Sequence, residues 1–253
     1  QCHPGAGANF ATDPIHVGQG VDNGEHPVVH FVRRFYLWLI VVAVGGMAVH
    51  NGLDLSTKFG VPRLPRGTDF LRFTVNERLQ HAVMALSFLV LAYSGFALKF
   101  PEAWWAAPFE AVGGGEGTRR LVHRTAAVFM VGVFAYHLMY LASRGRGREQ
   151  LRALWPRWQD VRDAGQMVAY YLRLRSDRPA FDRFSYIEKA EYWALIWGSL
   201  IMTVTGFVLW FENQTLALLP LWVLDLATVV HYYEAWLASL AIAVWHFYWV
   251  IFN

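Results

Sequence analysis

Five apolar runs dominate the chain, at residues 35–53, 79–98, 125–142, 192–211 and 227–252. Each approaches the roughly 20 residues a helix needs to cross about 30 Å of hydrocarbon. None contains proline, and Leu, Val, Ala and aromatic residues fill them. In lipid an isolated run can satisfy its backbone only within itself, so all five are read as helices. Charged residues make up 16% of the 253, against about 25% in soluble proteins, which excludes a single soluble domain and a chain built to wrap nucleic acid. The expected fold is an all-α membrane protein, with Trp38, Tyr140, Trp193, Trp210 and Trp249 suited to the interfacial belts.

The positive-inside bias of Lys and Arg sets the expected orientation. Lys58, Arg63, Arg66 and Arg72 separate the first two runs, whereas 101–118 holds no Lys or Arg. Ten arginines from Arg144 to Arg183 separate the third and fourth runs, and 212–226 again holds none. Both basic loops are therefore expected in the cytoplasm of a bacterial inner membrane, with the N-terminus periplasmic and the C-terminus cytoplasmic. Arg33 and Arg34 run against the bias, but four loops outweigh them. The chain divides into a periplasmic tail (1–33), one extra span (34–53) and a four-helix domain (54–253) with a basic cytoplasmic loop at 144–188. Trp155, Trp158, Tyr170, Tyr171 and Leu172 among the arginines make that loop a partly amphipathic segment for anionic lipid. No internal repeat is evident.

His81, His123, His137, His231 and His246 fall in or near the spans, with His50 at the inner end of the first. Ionisable side chains at membrane depth are costly and point to function. His231 and His246 are fifteen residues apart, about 22 Å of helical rise and a whole number of turns plus about 60°. One marks each leaflet on roughly one face. The orientation puts His123 at the outer level with His231, and His81 at the inner level with His246. His137, fourteen residues after His123, also reaches the inner level and competes with His81. Two stacked bis-imidazole pairs in an apolar bundle suit two b-type haems, whose iron takes neutral imidazoles axially. A metal-ion transporter would want carboxylates or thiolates beside the imidazoles, and only Glu191 and Glu234 lie near the span ends. A passive anchor with merely buried histidines is the other rival. Arg78, Arg119, Arg120 and Arg124 suit either haem propionates or interfacial anchoring.

The segments NERLQHAVMALSFLVLAYSGFALKFP, RRLVHRTAAVFMVGVFAYHLMYL and FSYIEKAEYWALIWGSLIMTVTGFVLWF, then VVHYYEAWLASLAIAVWH, resemble the membrane cytochrome b subunits of formate dehydrogenases and hydrogenase-linked di-haem cytochromes. The likeness covers about 76–252. It implies axial ligands at His81, His123, His231 and His246, paired first with last and second with third. It also implies a quinone near the inner haem, close to Ser185, Tyr186, Glu188, Lys189 and His246, with Glu188 and Lys189 exchanging protons or capping the helix. The extra span departs from the pattern. So does His137, which is expected to face a propionate or quinone or to pair with His50 around a further haem. Ser185 stands where some members have Asn.

Cys2 and His3 form the final half of a Cys-x-x-Cys-His haem attachment motif, with the first Cys expected two residues before Gln1. His16, His26 and His30 are candidate sixth ligands. The tail thus predicts fusion to a c-type cytochrome carrying covalent haem c. Together these readings predict an electron carrier between the quinone pool and periplasmic c-type cytochromes, with other respiratory subunits as partners and no nucleic acid.

Overall fold

The computed structural model describes residues 26–58, 73–111, 113 and 115–252. No strand occurs among them, and five helices are long and apolar enough to cross a membrane. These are α1 (Pro27–Lys58), α2 (Val75–Lys99), α4 (Gly115–Ser143), α7 (Tyr186–Trp210) and the span Leu221–Phe252. All five apolar runs are recovered, and each helix begins several residues before the run that predicts it. Polar first turns explain the difference at α2, α4 and α7: α2 opens on Val75-Asn76-Glu77-Arg78, which hydropathy alone discounts.

The helices sort into two compact units. One holds α2, a 3-10 turn (Trp104–Ala106), α3 (Ala107–Ala111), α4, α5 (Gly145–Leu154) and most of α6 (Trp158–Tyr171). Thr74 starts α2 with a reciprocal cap: its N–H donates to Glu77 Oε2 (2.7 Å), and the Glu77 N–H donates to its hydroxyl (3.3 Å). Pro101 follows the helix end, where a proline cannot continue it. Gln80, Ser87 and Ser94, spaced by seven residues, make a buried polar face along α2, and it meets α4 antiparallel. The connection folds back over the helix ends, where Ala97, Ala106 and Phe109 bury against Val122 and the Tyr93 hydroxyl donates to the Trp105 carbonyl (2.7 Å). At the other end Glu77 also accepts from the Tyr140 hydroxyl (2.8 Å) and Arg146 Nε (3.1 Å), locking the start of α2 to the α4–α5 corner.

The other unit holds α1, the end of α6, α7 from residue 190, α8 (Glu212–Leu218) and the last span. That span is not one regular helix. α9 (Leu221–Ala241) passes through a π turn, Ile242–His246, into α10 (Phe247–Phe252), and the Phe247 N–H donates to the Ile242 carbonyl five residues back. A π turn accommodates one residue more than an α turn. The fifteen residues from His231 to His246 therefore act as fourteen, about 40° short of four full turns rather than about 60° beyond them. α1 packs along α9 and is pinned at its C-terminal end. Asn51 Nδ2 donates to the Val244 carbonyl inside the π turn (2.6 Å), and fully buried Asp54 accepts from Tyr171 (2.9 Å) and Tyr248 (2.7 Å) and pairs with Lys58 (2.6 Å).

The basic loop is more built than an amphipathic segment resting on lipid. It forms α5 and α6 and buries Leu154, Met167 and Tyr171, while Trp155 and Trp158 stay exposed. A Cβ at Gly147 would collide with the backbone of Tyr140 and Leu141, so only glycine lets α5 start this close to α4. Gly147→Ala should cost about 1–3 kcal/mol and lower the apparent Tm in detergent. Gly165→Ala, with open space around it, should leave the Tm unchanged or raise it.

Candidate functional site

Each unit presents two imidazoles whose Nδ1 is held by a neighbouring helix. In the α2–α4 hairpin, His123 Nδ1 lies 3.0 Å from Ser94 Oγ. The Ser94 hydroxyl has one proton, and it goes to the Val90 carbonyl one turn back (2.6 Å). With that proton engaged, Ser94 accepts from His123 as the Nδ1–H tautomer, the form in which Nε2 carries the lone pair a metal needs. Gly95 makes the contact possible: a Cβ there would stand 3.1 Å from His123 Cε1. Two turns before the end of α4, His137 Nδ1 lies 2.8 Å from Gln80 Oε1, an oxygen that can only accept.

The α7–α9 pair repeats the scheme. His231 Nδ1 lies 2.9 Å from Thr205 Oγ1, whose proton goes to the Ile201 carbonyl (2.8 Å), and a Cβ at Gly206 would stand 3.5 Å from the ring. His246 Nδ1 faces Glu191 Oε1 at 3.6 Å, an ion-pair distance rather than a hydrogen bond. The correspondence is an internal duplication, and it corrects the reading that no repeat exists. Thr74, Glu77, Gln80, Ser94 and Gly95 recur 111 residues later as Ser185, Glu188, Glu191, Thr205 and Gly206. His123 recurs 108 residues later as His231, but His137 recurs 109 later as His246, and the π turn absorbs the extra residue. Single substitutions such as Ser for Thr and Gln for Glu hid the repeat; SGFALKF against TGFVLWF is the signal that could have found it.

The remaining expected residues have plainer surroundings. His81, next to Gln80, is exposed on α2, and its counterpart in the repeat is Tyr192. Ser185 and Glu188 form the reciprocal cap of α7, with the Ser185 N–H donating to Glu188 Oε2 (2.9 Å). Lys189 is buried and bound to Asp160 (2.6 Å), and Tyr186 packs edge-on against Phe181. Arg119 is buried against Glu110 (3.2 Å) and Arg120 pairs with Glu116; Arg78 is exposed and Arg124 half-buried. The ring of His50 packs among Tyr171, Trp245 and Trp249 at 5.0–5.8 Å. His26 stacks on Trp222 at 4.5 Å. Cys2, His3 and His16 lie outside the described residues. Ser94, Thr205, Gln80 and the paired glycines were not anticipated from the sequence.

Among the described residues no cluster of three or more His, Cys, Asp or Glu side chains is arranged to hold a metal ion. Haem brings four ring nitrogens of its own and asks the protein only for axial imidazoles with an open Nε2. Residues 72–253 match the family model described as prokaryotic cytochrome b561. The chain belongs to that family. No curated protein and no solved structure matches it. Membership makes the protein a multi-pass bacterial membrane cytochrome that transfers electrons through haem b, and the tautomers fixed at His123 and His231 fit that group. The match covers α2 to α10 and leaves α1 outside it. Because the two glycines of this cytochrome differ in clearance, Gly95→Ala should lower haem per chain or displace the α-band of the reduced spectrum. Gly206→Ala should leave both unchanged.

Proposed function

We propose that this cytochrome holds two b haems at two depths and moves electrons between the quinone pool and periplasmic c-type haems. The observation that carries the reading is the duplicated imidazole scheme, with Nδ1 held at two levels about 21 Å apart along each hairpin at helical rise. His123 and His231 would hold one haem, and His246 with His81 would hold the other. When bound, these groups supply reversible one-electron iron chemistry; the chain supplies binding, orientation and tuning. Arg78 and Arg124 bind propionates. Quinone exchanges near the start of α7, at Ser185, Tyr186, Glu188 and Lys189. The subtype is that of the formate dehydrogenase and hydrogenase-linked cytochromes, in complex with further respiratory subunits. Cys2 and His3 close a covalent haem c motif on the periplasmic side.

A specific observation supports a second reading for the inner ligand. His137 occupies in the first hairpin the place His246 occupies in the second, with Gln80 standing where Glu191 stands. On that reading α4 and the last span supply all four ligands, and His81 supplies none.

Pyridine-haemochrome analysis of the purified chain should give two b haems. Loss of one haem in both His123→Ala and His231→Ala is expected. Loss of the other in His81→Ala, with His137→Ala retaining it, supports the first reading; the reverse supports the second. A preparation with stoichiometric divalent metal and no haem overturns both. For orientation, a green fluorescent protein fused after the last residue should fluoresce and an alkaline phosphatase fused there should be inactive.

A further inference from the structure

Four side chains hold the Nδ1 atoms of the duplicated histidines, and they are not equivalent. Ser94, Thr205 and Gln80 are neutral; Glu191 is a carboxylic acid. Its Oε1 atom is buried, makes no hydrogen bond and faces His246 Nδ1. The two hairpins share the cap three residues earlier, Glu77 before Gln80 and Glu188 before Glu191, and differ at the next residue, where Tyr192 replaces His81. Among the four residues that face Nδ1, the difference is one of charge at a repeated position.

A carboxylate behind a ligating imidazole does two things. It orients the ring by attracting the Nδ1–H, and it raises the electron density that Nε2 offers the iron. In an apolar span, where charges are weakly screened, an anion 3.6 Å from the ring favours the more positive, oxidised metal whether or not the hydrogen bond closes. A carboxamide at the same distance orients the ring without that electrostatic bias. The π turn belongs to the same device, because it restores His246 to the face its counterpart occupies in the first hairpin.

We propose that Glu191 is a positioning residue for His246 and that it sets the haem bound there at a lower reduction potential than the haem bound by His123 and His231. The inference rests on the reading that His246 is an axial ligand. One electron leaving the reduced His246 centre for the oxidised His123/His231 centre then runs downhill, with no bond made and no proton moved. With His246 at the cytoplasmic level, the ordering favours outward flow, fed by a quinol that gives up two electrons and two protons to become quinone and drained by a c-type haem.

The test is a potentiometric titration of the purified, haem-loaded full chain in lipid nanodiscs. Wild type should show two midpoints, and His246→Ala should lack the lower one; haem-free protein, or His246→Ala with both haems intact, defeats the ligand reading itself. Glu191→Gln should keep two haems and raise the lower midpoint alone, with a matching shift in the low-spin EPR g-values of that haem. Glu191→Asp should return the midpoint toward wild type. Glu191→Ala should weaken retention of that haem about 10–100-fold. Two haems with an unmoved lower midpoint in Glu191→Gln, or equal movement of both midpoints, would overturn the role of Glu191 while leaving the ligands standing.

Discussion

A hydroxyl in an apolar helix has a single proton, and in this chain the helix takes it. Ser94 donates to Val90 and Thr205 to Ile201, so each oxygen can only receive. Within hydrocarbon an unmet polar group is expensive, and the two imidazoles of His123 and His231 are bound by that economy as much as by geometry. Their tautomers follow, and so does their readiness for iron. Packing conspires with this at Gly95, where a Cβ would crowd the His123 ring, whereas Gly206 leaves ordinary clearance to His231. The rest of each hairpin serves to keep these contacts in register: reciprocal caps at the starts of α2 and α7, a buried Glu77 cross-linked to α4 and α5, and a loop folded over the far end.

Duplication explains why one chain contains two such sites. A helical hairpin with one hydroxyl-bound and one amide- or acid-bound histidine appears twice, with side chains changed inside conservative limits. The copies have drifted where drift alters chemistry least or most. Thr for Ser preserves the accepting oxygen, whereas Glu for Gln introduces a charge. His81 against Tyr192 shows that the copies are not interchangeable at every position on the membrane-facing helices.

Much of this architecture was legible in the amino-acid sequence. Hydropathy located all five spans because length and apolar content are what a bilayer selects, and a membrane cytochrome b was visible in the local segments around His81, His123, His231 and His246. The starts of α2, α4 and α7 were missed by several residues because polar first turns carry no hydropathic signal. The π turn was invisible for a different reason: a widened turn has no residue signature in IAVWH, and only the backbone bond from Phe247 to Ile242 reveals it. Anchors such as Gln80 and Ser94 were passed over because a small polar residue in a span reads as filler until its partner on another helix is known. Asp54 was unremarked for the same reason, although its three partners lie as far apart in sequence as Lys58, Tyr171 and Tyr248.

Asn51 adds a last constraint. Its amide is spent on the Val244 carbonyl, in the one turn where the final helix departs from regular winding. α1 lies outside the region shared with the family, yet it reaches the irregularity that sets the bearing of His246. α1 is therefore a splint as well as a span: it braces from the side the turn through which the last helix aims its histidine.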